Sequence, residues 1–178
     1  MTKMIVFMGI LCVNVFAFSI EDLGGIKKDN ISGAFKQAKT ISGFSSEIKS
    51  SGRFSIANNE ILWHTTKPII SSVKITSDGI FMLQNSDSKN AQEVWVKTSQ
   101  HYDKSLFLSI MRLDFDALKN NFDFQINGDK NAWNLTLIPK GLIKNIFKSI
   151  HINGGEFVKS VVLIESNGDK TENHFIIK

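Results

Sequence analysis

Phe122-Asp123-Phe124-Gln125-Ile126-Asn127-Gly128-Asp129-Lys130-Asn131-Ala132-Trp133-Asn134-Leu135-Thr136-Leu137-Ile138-Pro139 is the stretch that decides the fold. Apolar and polar residues alternate on both sides of a turn signal. Phe122, Phe124 and Ile126 interleave with Asp123 and Gln125, and Trp133, Leu135 and Leu137 interleave with Asn134 and Thr136. A period of two puts each apolar set on one face of a strand. Asn127-Gly128-Asp129 supplies residues that tolerate a tight turn, so the stretch reads as an antiparallel hairpin. Pro139 lacks a backbone N–H and ends the second strand.

The same pattern extends outward in both directions. Upstream, Ile31, Gly33 and Phe35 share one face, followed by Ile48, Gly52, Phe54 and Ile56, then Ile61 and Trp63 as far as Pro68. Val73 and Ile75 are expected to meet Phe81 and Leu83 across Ser77-Asp78-Gly79, and Val94 and Val96 mark another short strand. Downstream, residues 157–165 and 171–177 read as strands joined at Asn167-Gly168-Asp169. Helical spacing is confined to a few places. Residues 20–29 allow a short helix weakened by Gly24 and Gly25. Asp103 is placed to cap a helix over 104–113 bearing Leu106, Phe107, Ile110 and Met111. Asp114 starts a second, running through Leu118, and residues 141–150 carry the apolar stripe Leu142, Ile143, Ile146, Phe147 and Ile150. With no β-α-β alternation, a parallel sheet is not expected. The expected class is mainly β with α (α+β): a curved antiparallel sheet forming an incomplete β-barrel, covered by two or three helices. Gly33, Gly43 and Gly52 favour its curling.

Composition bounds the function. The 178 residues are 42% hydrophobic and 21% charged, which suits one packed domain rather than a disordered chain. A net charge of +4 spread along the chain does not make a nucleic-acid binder. Lys3 is the lone charge before Glu21, and the apolar run from Met4 to Phe18 is about fifteen residues, short for a ~30 Å hydrocarbon core. With Ala17 and Ser19 behind it, the segment 1–19 reads as a secretory signal peptide, leaving residues 20–178 as a single exported domain. Cys12, the one cysteine, would leave with the signal, so the domain would rely on burial rather than disulfides.

No catalytic motif stands out. His64, His101, His151 and His174 lack metal-ligand spacing, there is no nucleophile elbow or phosphate loop, and Asp114 and Asp116 suit a helix start rather than an acid–base pair. Neither an enzyme nor a metal or cofactor site is expected. The apolar inventory carries more: 14 Phe and 3 Trp against a single Tyr. Phe35, Phe54, Ile61, Trp63, Phe81, Leu135, Leu137 and Leu163, with Leu106, Phe107, Ile110, Met111 and Phe147 from the helical segments, are expected to face one side of the sheet. They satisfy a plain core, or a cavity that accepts acyl chains at ~0.8 kcal/mol per buried methylene.

Certain runs resemble a known family. Phe35-x-Gln37-x-Lys39, Ser51-Gly52-Arg53-Phe54 and Leu62-Trp63-His64-Thr65-Thr66-Lys67-Pro68 are similar to the front half of the periplasmic lipoprotein carriers of the LolA type. Trp133-x-Leu135-x-Leu137-x-Pro139-Lys140 and Gly168-Asp169-x-Thr171-x-x-x-Phe175 resemble its later segments. The resemblance implies an open barrel with a helical lid and a cavity for lipoprotein acyl chains. It implies a shuttle that receives cargo from an inner-membrane exporter and delivers it to an outer-membrane acceptor, working as a monomer in the periplasm. One departure marks a divergent branch. The family's lid-gating arginine has no counterpart in Ile56-Ala57-Asn58-Asn59-Glu60. Two alternatives stay open: a carrier of a non-protein lipid or glycolipid working with an RND-type exporter, and an envelope interaction module with a closed, dry core.

Overall fold

In the computed structural model, residues 18–26, 28–84, 93–98 and 104–178 are described. The expected signal segment up to residue 17, with Cys12, and also His101 and Asp103, lies outside them, as does the side chain of Phe107.

Eleven strands form one sheet among the described residues. They are β1 (Ile31–Thr40), β2 (Glu47–Ala57), β3 (Glu60–Lys67), β4 (Ser71–Thr76), β5 (Gly79–Gln84), β6 (Val94–Lys97), β7 (Phe122–Asp129), β8 (Ala132–Pro139), β9 (Phe147–Gly154), β10 (Val158–Glu165) and β11 (Lys170–Ile177). Their order across the sheet is β6-β5-β4-β3-β2-β1-β11-β10-β9-β8-β7, with every pair antiparallel. β6 and β7 do not pair, so the sheet stays open. The first and last strands meet at its centre, where Phe35 lies opposite Phe175.

Among the described residues the helical content is smaller than expected. Two short α-helices, α1 (Lys104–Arg112) and α2 (Phe115–Leu118), bridge the chain between the sheet's two edge strands. Asp114 caps α2 by accepting from the Ala117 N–H at 3.1 Å. Leu113, between the helices, adopts φ +50°, an unusual value for a leucine. The stripe over 141–150 does not make one helix. A 3-10 turn at Gly141–Asn145 gives way to β9. Ile150, Ile152 and Gly154 also fit a period of two, and pairing with β8 and β10 on both sides decides between the patterns. A second 3-10 segment, Glu21–Gly25, places Leu23 in the core.

Two turns differ from the sequence reading by a step or two. The pairing of Thr76 with Gly79 puts the β4–β5 turn at Ser77–Asp78, and the pairing of Asp129 with Ala132 moves the β7–β8 turn to Lys130–Asn131. In the second case Gly128 stays within the strand at φ +105°, where a Cβ would meet the Ala132 carbonyl oxygen at 2.1 Å. Asp129 Oδ1 holds the turn by accepting from the N–H groups of Asn131 and Ala132.

The core lies on the sheet's inner face. Ile56, Ile61, Leu118, Leu137 and Ile150 are fully buried there, with α1 packed over β4 and β5. Trp133 lies over Gly154, and its indole N–H donates to the Gly155 carbonyl at 2.9 Å. The whole ring fits because position 154 carries no side chain.

Candidate functional site: an apolar hollow with one open end

The core does not fill the inner face. A hollow of about 460 Å³ opens between the sheet and α1. Its walls come from Trp63 on β3, Val73 and Ile75 on β4, Ile80 and Met82 on β5, Leu106 and Ile110 on α1, and Leu163 on β10, with Ile143, Ile146 and Phe147 from the β8–β9 connection. This size lies within the 300–1,000 Å³ span of ordinary ligand sites. Beneath Trp63 is an aromatic floor. Phe35 stacks on Trp63 at 3.9 Å between ring centroids, and Phe175 meets Phe54 and Trp63 edge-on at 5.1 and 6.1 Å. The Phe35 ring can lie there because Gly52 has no Cβ; one would sit 2.8 Å from Phe35 Cε1.

The two ends of the sheet differ. At one end the β2–β3 turn, α1 and the residues leading into β1 are tied together. Arg112 at the end of α1 donates to the Asn59 side chain and lies 3.8 Å from Asp29. Lys28 Nζ donates to the Leu113 carbonyl at 3.4 Å and sits 5.4 Å from the Phe115 ring centroid. Burial pushes the Lys28 ammonium below its ordinary pKa, Asp114 opposes that shift, and Arg112 adds to it. At the other end, where Thr40, Glu47, Lys67, Glu165 and Phe147 lie, the partly exposed Lys39 and Glu165 bring the hollow's lining to solvent. Polar groups rim this mouth: Lys39 Nζ is 3.7 Å from Glu165 and 3.9 Å from Asp169. Beside them Gln37 links Ser50 to Asn173, accepting from Ser50 and donating to Asn173 at 2.8 Å. The Thr98 hydroxyl, on the hollow's wall, is buried without a hydrogen-bond partner among the described residues.

The thirteen residues expected to line a cavity separate into groups. Trp63, Leu106, Ile110, Phe147 and Leu163 do line the hollow. Phe35, Phe54, Ile61, Met111, Leu135 and Leu137 are buried in the core around it. Phe81 is misplaced by the sequence reading: Ile80 and Met82 face the hollow, and Phe81 points to the outer face, 6.0 Å from Lys74 Nζ. The cause is the β4–β5 turn, since a one-residue slip exchanges the two faces of a strand. Ile80 and Met82 were missed for that reason. Ile143 and Ile146 belonged to the right apolar stripe, assigned to the wrong element. Among the described residues no group of three or more His, Cys, Asp or Glu could hold a metal ion.

An open antiparallel sheet bordering an apolar hollow, with charged groups at its rim, defines a class of barrel-like scaffold able to enclose an apolar ligand. The family described as "Outer membrane lipoprotein carrier protein LolA" matches residues 27–176, and the chain belongs to that family. Membership points to a carrier of lipid or lipoprotein, in a family whose proteins are periplasmic carriers rather than enzymes. The crystal structure of a LolA superfamily protein from Nitrosomonas europaea is similar at 9% identity and a TM-score of 0.48, covering 89% of this chain and 90% of that one. No curated protein matches the sequence. No helix among the described residues is long and apolar enough to cross a membrane.

Proposed function

We propose that this protein is a periplasmic carrier that holds the acyl chains of lipoproteins in the hollow and shuttles them from an inner-membrane exporter to an outer-membrane acceptor. Residues 1–19 act in this reading as a cleaved signal peptide, and residues 20–178 form the single carrier domain. The observation that carries the proposal is the hollow itself, apolar on its walls and reaching solvent beside Lys39 and Glu165. Lining residues Trp63, Leu106, Ile110, Phe147 and Leu163 serve as the acyl-binding surface, and the buried Phe35, Phe54, Ile61, Met111, Leu135 and Leu137 hold its walls in shape. Sixteen methylenes moving from water into such walls gain roughly 13 kcal/mol before the cost of ordering the chain. The chemistry needed is reversible partition, without a covalent step, and a monomer leaves the mouth free.

The test is native mass spectrometry of the protein taken gently from its own periplasm, paired with release of lipoproteins from spheroplasts. A lipoprotein adduct and release into the medium are expected. An adduct of lipid or glycolipid mass would instead assign the cargo to a non-protein lipid and the partner to an RND-type exporter. Empty protein and no release would return the chain to the interaction-module reading.

A further inference from the structure

The loops at the two ends of the sheet differ in chemistry. At the tied end the turns Asn58–Asn59, Ser77–Asp78 and Lys130–Asn131 are polar, and the β9–β10 turn holds its one large apolar residue, Phe157, against the core. At the mouth, three separate connections present large apolar side chains to water. Phe44 of the β1–β2 loop is 68% exposed, Ile69 and Ile70 of the β3–β4 loop are 77% and 65% exposed, and Leu142 of the β8–β9 connection is 86% exposed. Ile48, at the start of β2, adds a fifth at 53%. Single exposed apolar residues are ordinary, but five gathered on one end of a sheet mark an interaction surface. None of them lines the hollow.

A second observation tells what this rim meets. On the outer face just behind it, a recess of about 660 Å³ is bordered by Lys36, Lys49, Lys67 and His174, with Ser51 between them. The pairings bring these residues together from four strands: Lys36 opposes His174 and Ser51, and Ser51 opposes Lys67. Glu47 lies 3.5 Å from Lys49 and answers that charge, and Glu172 is paired with Lys170. Among the described residues Lys36 and Lys67 have no ion-pair partner. Lys67 is followed directly by Pro68 and then by Ile69-Ile70, so the cationic recess and an exposed apolar loop are continuous along the chain. Lys140 and Lys144 flank Leu142 in the same way, Lys140 being paired with Asp123 at 3.0 Å.

Apolar tips with cations set behind them match the two layers of a bilayer surface, hydrocarbon below and phosphate above. We propose that the mouth rim docks on an anionic phospholipid surface, with Ile69, Ile70, Phe44 and Leu142 entering the acyl boundary and the Lys36–Lys67 recess receiving lipid phosphate. Docking in this orientation sets the opening of the hollow against the membrane. The surface is separate from the hollow's walls, so it stands whether the cargo is a lipoprotein or another lipid.

The experiment is flotation of the protein with vesicles of phosphatidylglycerol and phosphatidylcholine, against vesicles of phosphatidylcholine alone. Wild type, Ile69→Ser/Ile70→Ser and Lys36→Gln/Lys67→Gln are compared. The apolar N-terminal segment is common to all three, so differences between them report the rim. Wild type is expected to float with the anionic vesicles and to be released by salt. The lysine variant is expected to bind these vesicles at least about tenfold less, and the isoleucine variant about tenfold less as well. Inorganic phosphate that displaces the protein at low concentration would reassign the recess to a soluble anion and overturn the membrane proposal. So would equal binding by all three proteins, binding indifferent to vesicle charge, or a wild type that ignores both vesicles and is captured through the rim by an envelope protein. Binding of an environment-sensitive fatty-acid dye, measured on the same samples, separates this proposal from the carrier reading. Dye bound without vesicle binding removes only the docking surface, and vesicle binding without dye removes only the carrier. Thermal unfolding should be unchanged in both variants, because the substituted side chains lie on the surface.

Discussion

Leu163 on β10 gives the sharpest test of whether the hollow is a binding site. It pairs with Ile150 on one side and Thr171 on the other, and its side chain borders the 460 Å³ space. Leu137, on the same inner face two strands away, also opposes Ile150 but is fully buried. Replacing each by Trp adds the same bulk to different surroundings. At Leu163 the indole can extend into the hollow and displace ligand. If it excludes two or three methylenes of an acyl chain, the loss is about 2 kcal/mol, or about thirtyfold in Kd. Stability should change little. At Leu137 there is no space, and overpacking costs about 1–3 kcal/mol. At this chain length that lowers Tm by roughly 2–4 °C per kcal/mol. Displacement of a fatty-acid dye gives Kd, and thermal unfolding gives Tm. Leu163→Trp should weaken binding with Tm nearly unchanged, whereas Leu137→Trp should lower Tm. Equal losses of stability at the two positions, or undiminished dye binding in Leu163→Trp, would refute the claim that the space is functional.

Asn59→Ala removes the turn-side partner of Arg112 and leaves alanine at φ +59°, so it should cost about 1–2 kcal/mol. Hydrogen exchange should quicken in α1; unchanged exchange would mean that the tie does not hold the helix. Gly154→Ala places a Cβ 2.4 Å from Trp133 Cζ2 and 2.3 Å from the Phe157 carbonyl oxygen, so a loss of about 1–3 kcal/mol is expected, with altered tryptophan fluorescence. A denaturation midpoint equal to wild type would show that the ring can move aside. Lys28 supplies a pH dependence. Its folded-state pKa is held below 10.5 chiefly by burial, so folding disfavours the charged form at neutral pH. Between the lowered pKa and 10.5 the unfolded chain binds more protons, and stability must rise with pH there. Denaturant titrations of wild type and Lys28→Met should show wild type gaining on the variant across that window; parallel curves would contradict the burial argument.

The hairpin at 122–139 was legible because alternation and turn residues are local, and strand periodicity needs only a few residues to declare itself. The same holds for the capping of α2 by Asp114 and for the LolA resemblance carried by short ordered runs. What failed was whatever depends on counting across a turn. Phe81 and Ile80 are neighbours in sequence, and one step in the turn at Ser77–Asp78 decides which of them enters the hollow. Phe147 and Ile150 satisfied a helical stripe until β8 and β10 supplied partners.

By itself, then, the sequence determined an antiparallel, largely β protein with a surplus of apolar side chains for one inner face, because burial and strand geometry both act residue by residue. It could not separate Leu137, packed solid, from Leu163, bordering empty space, since both are leucines at alternating positions in strands. Only the tertiary structure decided that. A hollow exists where the open sheet, the short α1 and the β8–β9 connection fail to meet, and that gap is a property of how elements pack together.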